Sequence, residues 1–160
     1  MWVDFDYLSL QSRVWVFQSN RFLAAEEQDS IDAHLKSYIE QWSTHGAQMH
    51  ASHLLLHNCF VVIAADEQKQ AASGCSIDSF TALFKKFGEH YNLSFFDRFS
   101  VAHKSNSEVV VSALDDFKML INEGLVTENT IVFNNLIALK EELLSNWELP
   151  LKESWHKRYL

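Results

Sequence analysis

Ser73-Gly74-Cys75-Ser76-Ile77-Asp78-Ser79 is the string in this sequence whose residue types could do chemistry. It sets a thiol where a polar loop gives way to Ile77, Phe80, Phe84, Phe87 and Tyr91, apolar residues recurring at helical spacing. The first turn of a helix leaves N–H groups unpaired and carries the positive end of the dipole, which lowers a cysteine pKa or holds a carboxylate or phosphate. Gly74 would let a ligand approach the main chain closely. Two other groups could complete a pocket: His45, in the helix-ending Thr44-His45-Gly46, and Arg21, just after the first strand. As a binding site, Gly74, Cys75, Ser76, His45 and Arg21 would hold a small anion. As a catalytic site, Cys75 would be the nucleophile, His45 its base, and Asp78 or Asp66 the acid that orients the base. A structural reading uses the same residues: Ser76 caps the helix, Asp78 complements its dipole, Cys75 fills space and His45 answers the preceding helix C-terminus.

Other chemistry is excluded or disfavoured. None of the four glycines precedes a lysine, so the phosphate-cradling Gly-x-x-x-x-Gly-Lys-Ser/Thr loop is missing. Gly-x-Gly-x-x-Gly, Cys-x-x-Cys, His-Glu-x-x-His and Gly-x-Ser-x-Gly are missing too. His50, His53 and His57 resemble a metal cluster on paper, but a straight strand separates residues four apart by about 13 Å, so no metal and no cofactor is expected. Cys59 falls mid-strand and reads as core.

The elements that must position these groups follow from periodicity. Arg13 to Gln18 reads as a first strand, and Ile31, Leu35, Tyr38, Ile39 and Trp42 mark one face of a helix from about Ala25. His50 to Asp66 reads as two strands about a turn near His57-Asn58, with Leu54, Leu56, Val61 and Ile63 on one face and His53, Leu55, His57, Phe60 and Val62 on the other. After the Cys75 helix, a second hairpin spans Arg98 to Ser112, turning at Lys104 to Ser107. Ser112-Ala113-Leu114-Asp115 opens a short helix closed by Gly124. A strand at Thr130 to Phe133 and a helix from Asn134 or Asn135 to about Trp147 complete the order β-α-β-β-α-β-β-α-β-α. Hairpins alternating with helices predict an α+β fold: one antiparallel sheet of about five strands, two layers, helices mainly on one face, and ferredoxin-like order in the first part. Trp15, Trp42, Phe80 and Phe84 are its expected core. Trp155 and Tyr159 should fold the tail back on the domain or dock it on a second copy as a homodimer, with Lys157 and Arg158 facing the acidic first helix.

The chain has 160 residues, 48% hydrophobic and 21% charged, which suits one domain spanning 1–160 with a real core. A net charge of −8 opposes nucleic-acid binding, which rests on lysine and arginine displacing counterions. The start of the chain carries no basic run before an apolar stretch, and no window is long and apolar enough to insert in a membrane. A cytoplasmic location with Cys59 and Cys75 as free thiols is therefore expected.

Trp42-Ser43-Thr44-His45-Gly46, Ser73-Gly74-Cys75-Ser76-Ile77-Asp78, Val132-Phe133-Asn134-Asn135 and Ser154-Trp155-His156-Lys157-Arg158 resemble a small bacterial family of about this length. The resemblance runs from Val14 to Tyr159. Members often carry the label "ABC transporter ATPase", which the missing phosphate loop argues against here. Val109 to Val132 is similar to GYF-type peptide-binding modules, without their aromatic ligand-contact motif, so residues 98–149 stand as a peptide-binding alternative. Scattered acid–base groups favour a non-catalytic ligand-binding or interaction module, with a thiol-dependent enzyme using Cys75 and His45 as the alternative.

Overall fold

The computed structural model describes residues 1–68 and 70–160. In chain order the elements are β1 (Arg13–Gln18), α1 (Ala25–Glu40), β2 (Ser43–Thr44), β3 (Ala47–Gln48), β4 (Ala51–Leu56), β5 (Phe60–Ala65), α2 (Gly74–Tyr91), β6 (Ser100–Ser105), β7 (Glu108–Ala113), α3 (Leu114–Asn122), β8 (Ile131–Phe133), α4 (Lys140–Ser145) and β9 (Glu148–Pro150). Single 3-10 turns occur at Phe5–Tyr7, Leu151–Glu153 and Trp155–Tyr159. Every pairing between these strands is antiparallel, and the fold is α+β.

The strands divide over three sheets rather than one: β1-β5-β4, the β2-β3 hairpin, and β7-β6-β8-β9. β1 and β4 both run antiparallel to β5, so they are parallel to each other with α1 as crossover, the split β-α-β that ferredoxin-like order begins with. The strand after α2 then departs from that order. Val14 N–H already donates to the Ala138 carbonyl and Arg13 bridges Leu139, so the start of β1's outer edge is occupied and β6 joins the other sheet.

Three cores define four layers rather than two. Ile31, Leu35 and Ile39 of α1 and Phe80, Phe84 and Phe87 of α2 pack on Val61, Ile63 and Ala65 of the first sheet. The opposite face of that sheet, through Val14, Phe60, Val62 and Ala64, meets Ala102 and Phe133 of the second sheet with Leu143 and Trp147. Val101, Val132 and Phe117 form the outer core, where the tail folds back: Leu151 is fully buried and Tyr159 packs against Phe117. Lys157 and Arg158 thus lie on the α3 side; Arg158 covers the Trp155 and Tyr159 rings, and neither cation bridges α1 among the described residues. Trp42, Phe80 and Phe84 are core, and Trp15 is half-buried against them.

The hairpin of β4 and β5 is registered one residue away from the sequence reading. Leu56 pairs with Phe60 and His53 with Ile63, so Leu54, Leu56, Phe60 and Val62 share one face and His53, Leu55, Val61 and Ile63 the other. His57 and Asn58 both adopt positive φ, but Cys59 adds a third residue to the connection and flips the alignment. The helix expected at 134–147 shrinks to α4, because Glu142 accepts the N–H groups of Ala138 and Leu139 and so starts it late. Ser112 is not a cap: it lies in β7, and its hydroxyl bonds His103. Gly124, at φ +74, does close α3.

Candidate functional site

α2 begins one residue beyond Ser73, not at Ser76. The Ser73 hydroxyl accepts the Ser76 N–H at 3.2 Å, and the Ser73 carbonyl accepts the Ser76 and Ile77 N–H groups. Ser76 then turns its own hydroxyl to Ser73 at 2.9 Å and to the buried Thr44 hydroxyl at 3.2 Å. That last contact fixes α2 against the β2-β3 hairpin, whose turn residues His45 and Gly46 sit at φ 50 and φ 78. A glycine suits the second of these positions because no Cβ resists positive φ there.

The result is an open groove of about 590 Å³, lined by Tyr38, Gln41, Trp42, Ser43, Thr44, His45, Ser73, Cys75, Ser76 and Ser79. Its volume is in the ordinary range for a small-molecule site. His45 and Cys75, thirty positions apart in sequence, both line this groove and both are exposed, whereas Gly74 is exposed outside its wall. The N–H groups of Gly74 and Cys75 have no hydrogen-bond partner among the described residues, and the first turn of α2 carries no acid. The wall supplies hydroxyls, an imidazole, a thiol and amides, but no carboxylate.

Arg21 is elsewhere. Its guanidinium makes two 2.9 Å bonds to Glu27 and donates to the carbonyls of Phe22 and Tyr91, placing it at the far end of α2. An 18-residue helix is about 27 Å long, so Arg21 cannot share a ligand with Gly74. That pair raises the Arg21 pKa and lowers the Glu27 pKa, each chiefly through the mutual hydrogen bond. Asp78 is exposed on α2 but does not line the groove, and Asp66 accepts the Gln68 N–H beside His50. The catalytic grouping therefore keeps Cys75 and His45 and loses both candidate orienting acids.

The three neighbouring histidines diverge. His53 is buried between Trp2 and Asp32, His57 lies in the turn against Phe133 and Trp147, and His50 is exposed. Among the described residues no three or more His, Cys, Asp or Glu side chains gather as a metal site. Cys59 is fully buried, and desolvation pushes its thiol up to about 12, so Cys75 is the accessible thiol. Lys140 was not singled out by its sequence neighbours. Its buried ammonium donates at 2.7 Å to the Phe5 and Leu8 carbonyls and at 3.4 Å to that of Asp6, capping the 3-10 turn at the chain start. No described helix is long and apolar enough to cross a membrane. Comparison with protein-family models, curated proteins and solved structures finds no match.

Proposed function

We propose that the groove between the β2-β3 turn and the first turn of α2 binds a small anionic ligand, in a module that acts by binding rather than catalysis. The observation carrying this reading is the unbonded main-chain N–H of Cys75, in the wall of a groove that it shares with exposed His45 and whose described lining bears no carboxylate; the Gly74 N–H, also unbonded, stands beside that wall. In a chain of net charge −8, such a local donor cluster is the feature that would attract an anion. Membership of the small bacterial family is part of the same proposal and adds no chemistry to it.

The thiol-enzyme reading keeps one observation in its favour, an exposed Cys75 sharing the groove with His45. Among the described residues no side chain orients the imidazole. Iodoacetamide labelling of Cys75 across pH separates the two, since buried Cys59 stays silent. Binding predicts saturable protection of Cys75 by inorganic phosphate, weakened in His45→Ala. Labelling that phosphate leaves unprotected at every pH would overturn the binding reading.

A further inference from the structure

We propose that the segment carrying Trp2 and Val3 is a proton-sensitive strap over the outer edge of β4, held by His53 and released when that imidazole takes up a proton. The segment lies beside β4 as a short parallel addition: Trp2 bridges Ala51, the Val3 N–H donates to the Ala51 carbonyl at 3.0 Å, and the Ala51 N–H donates to the Met1 carbonyl at 3.2 Å. The Trp2 side chain is then fixed by one polar contact, its indole N–H donating to His53 Nδ1 at 3.2 Å. His53 Nε2 lies 2.8 Å from Asp32, a carboxylate that only accepts.

Both bonds are satisfied by a single state of the ring. Nδ1 must be bare to accept from the indole, and Nε2 must carry the hydrogen it donates to Asp32. A second proton goes to Nδ1 and sets two N–H donors face to face, while the Asp32 bond survives. Protonation therefore acts on the strap and leaves the contact to α1 in place. The His53 side chain is 2% exposed, which leaves water little access to compensate the lost bond. Burial lowers its pKa below the usual value, against the opposing pull of Asp32.

The charged groups facing the ring come from α1: Asp32, which favours the proton, and Lys36, which opposes it and also lies 4.3 Å from the Trp2 ring centroid. The strap brings the indole and the Met1 amino group, which donates to the Ile39 and Met49 carbonyls at 3.3 and 2.8 Å and whose pKa burial lowers against the pull of Glu40; the paired strand β5 offers apolar Ile63. Glu40 accepts the Trp2 main-chain N–H at 2.9 Å. The sign follows from linkage: an open strap leaves His53 nearer its usual pKa of 6.5, so the open form binds more protons and acid favours opening.

Amide hydrogen exchange tests this, read as the protection of Val3 after correction for the intrinsic pH dependence of exchange. In the wild-type chain, Val3 protection should fall as pH drops from 7 to 5.5, by no more than about one decade per unit, the limit for one proton. Val61 and Val62 in β5 should keep theirs. Trp2→Phe, which retains a ring but has no donor, and His53→Gln, which cannot titrate, should each flatten the slope. A flat wild-type profile, a loss shared equally by Val61 and Val62, or an undiminished slope in both variants would overturn the proposal.

Discussion

Replacing Gly88 by alanine should weaken this protein, although alanine is the better helix former. In an open helix interior the change gains about 1 kcal/mol, because glycine loses more backbone freedom on folding. At Gly88 the new methyl carbon would stand 2.7 Å from the Leu93 carbonyl oxygen, a backbone atom with no rotamer to escape into. That carbonyl follows Asn92, which ends α2 at φ 54, and the Leu93 N–H itself returns to the Gly88 carbonyl at 3.0 Å. Moving Leu93 therefore disturbs the helix stop as well as the contact. Overpacking of this kind costs about 1–3 kcal/mol, leaving a net loss of about 1 kcal/mol after the propensity gain. Gly74 is the internal control on the same helix: it has no atom within 4 Å of an added Cβ, so Gly74→Ala should be neutral or stabilising by a few tenths of a kcal/mol. Urea unfolding with an unchanged m-value measures both, and at this chain length each kcal/mol corresponds to about 2–4 °C in Tm. A Gly88→Ala variant as stable as Gly74→Ala would refute the reasoning.

Three further outcomes follow from buried groups. Burial and Arg158 lower the His156 pKa from 6.5 to about 4, so its neutral form stabilises the fold fully above pH 6.5 and progressively less as pH falls towards 4. The linkage is worth about 3 kcal/mol at most, and His156→Gln should flatten the decline of unfolding free energy measured from pH 7 to pH 4.5. Lys140→Met should cost about 2–4 kcal/mol by leaving the Phe5 and Leu8 carbonyls without their buried donor, with earlier proteolytic cleavage in residues 1–10 as the local signature. Removing residues 152–160 takes buried His156 and half-buried Tyr159 away from the outer core and should lower Tm by about 5–10 °C; an unchanged melting point would contradict the tail packing seen here.

What could be read before folding was what local chemistry decides. The α1 and α2 stripes, the turn at Asn106-Ser107 and the stop at Gly124 are written in adjacent residues, and they stand where periodicity puts them. The β4-β5 faces were inverted because a single extra turn residue, Cys59, reverses a period-two alignment. Thr44-His45-Gly46 reads as a helix end and Ser76, rather than Ser73, as the cap of the next helix; the Thr44–Ser76 hydroxyl contact and the packing of Trp42 on Phe80, which bring the two walls together, leave no local pattern. Arg21 was misread because one of its acceptors, the Tyr91 carbonyl, is seventy residues away. Lys140 and the Trp2-His53-Asp32 chain escaped notice for the same reason: side chains that meet only through tertiary packing leave no pattern in sequence.

The central place of β5 has a cost during synthesis and refolding. Phe60-Val61-Val62-Ile63-Ala64-Ala65 is buried on both faces and hydrogen-bonded along both edges, and it contains no charge and no proline. Six apolar residues, four of them of high strand propensity, are the composition of a self-stacking segment. One edge closes quickly, because β4 is joined to it by a three-residue connection. The other waits for β1, more than forty residues upstream and separated by the whole of α1. During that interval the hairpin is an open template for another copy of itself. Asp66 and Glu67, directly after the segment, sit where gatekeeper charges would repel a second strand, so neutralising them should raise the aggregated fraction on dilution from urea without changing the native fold.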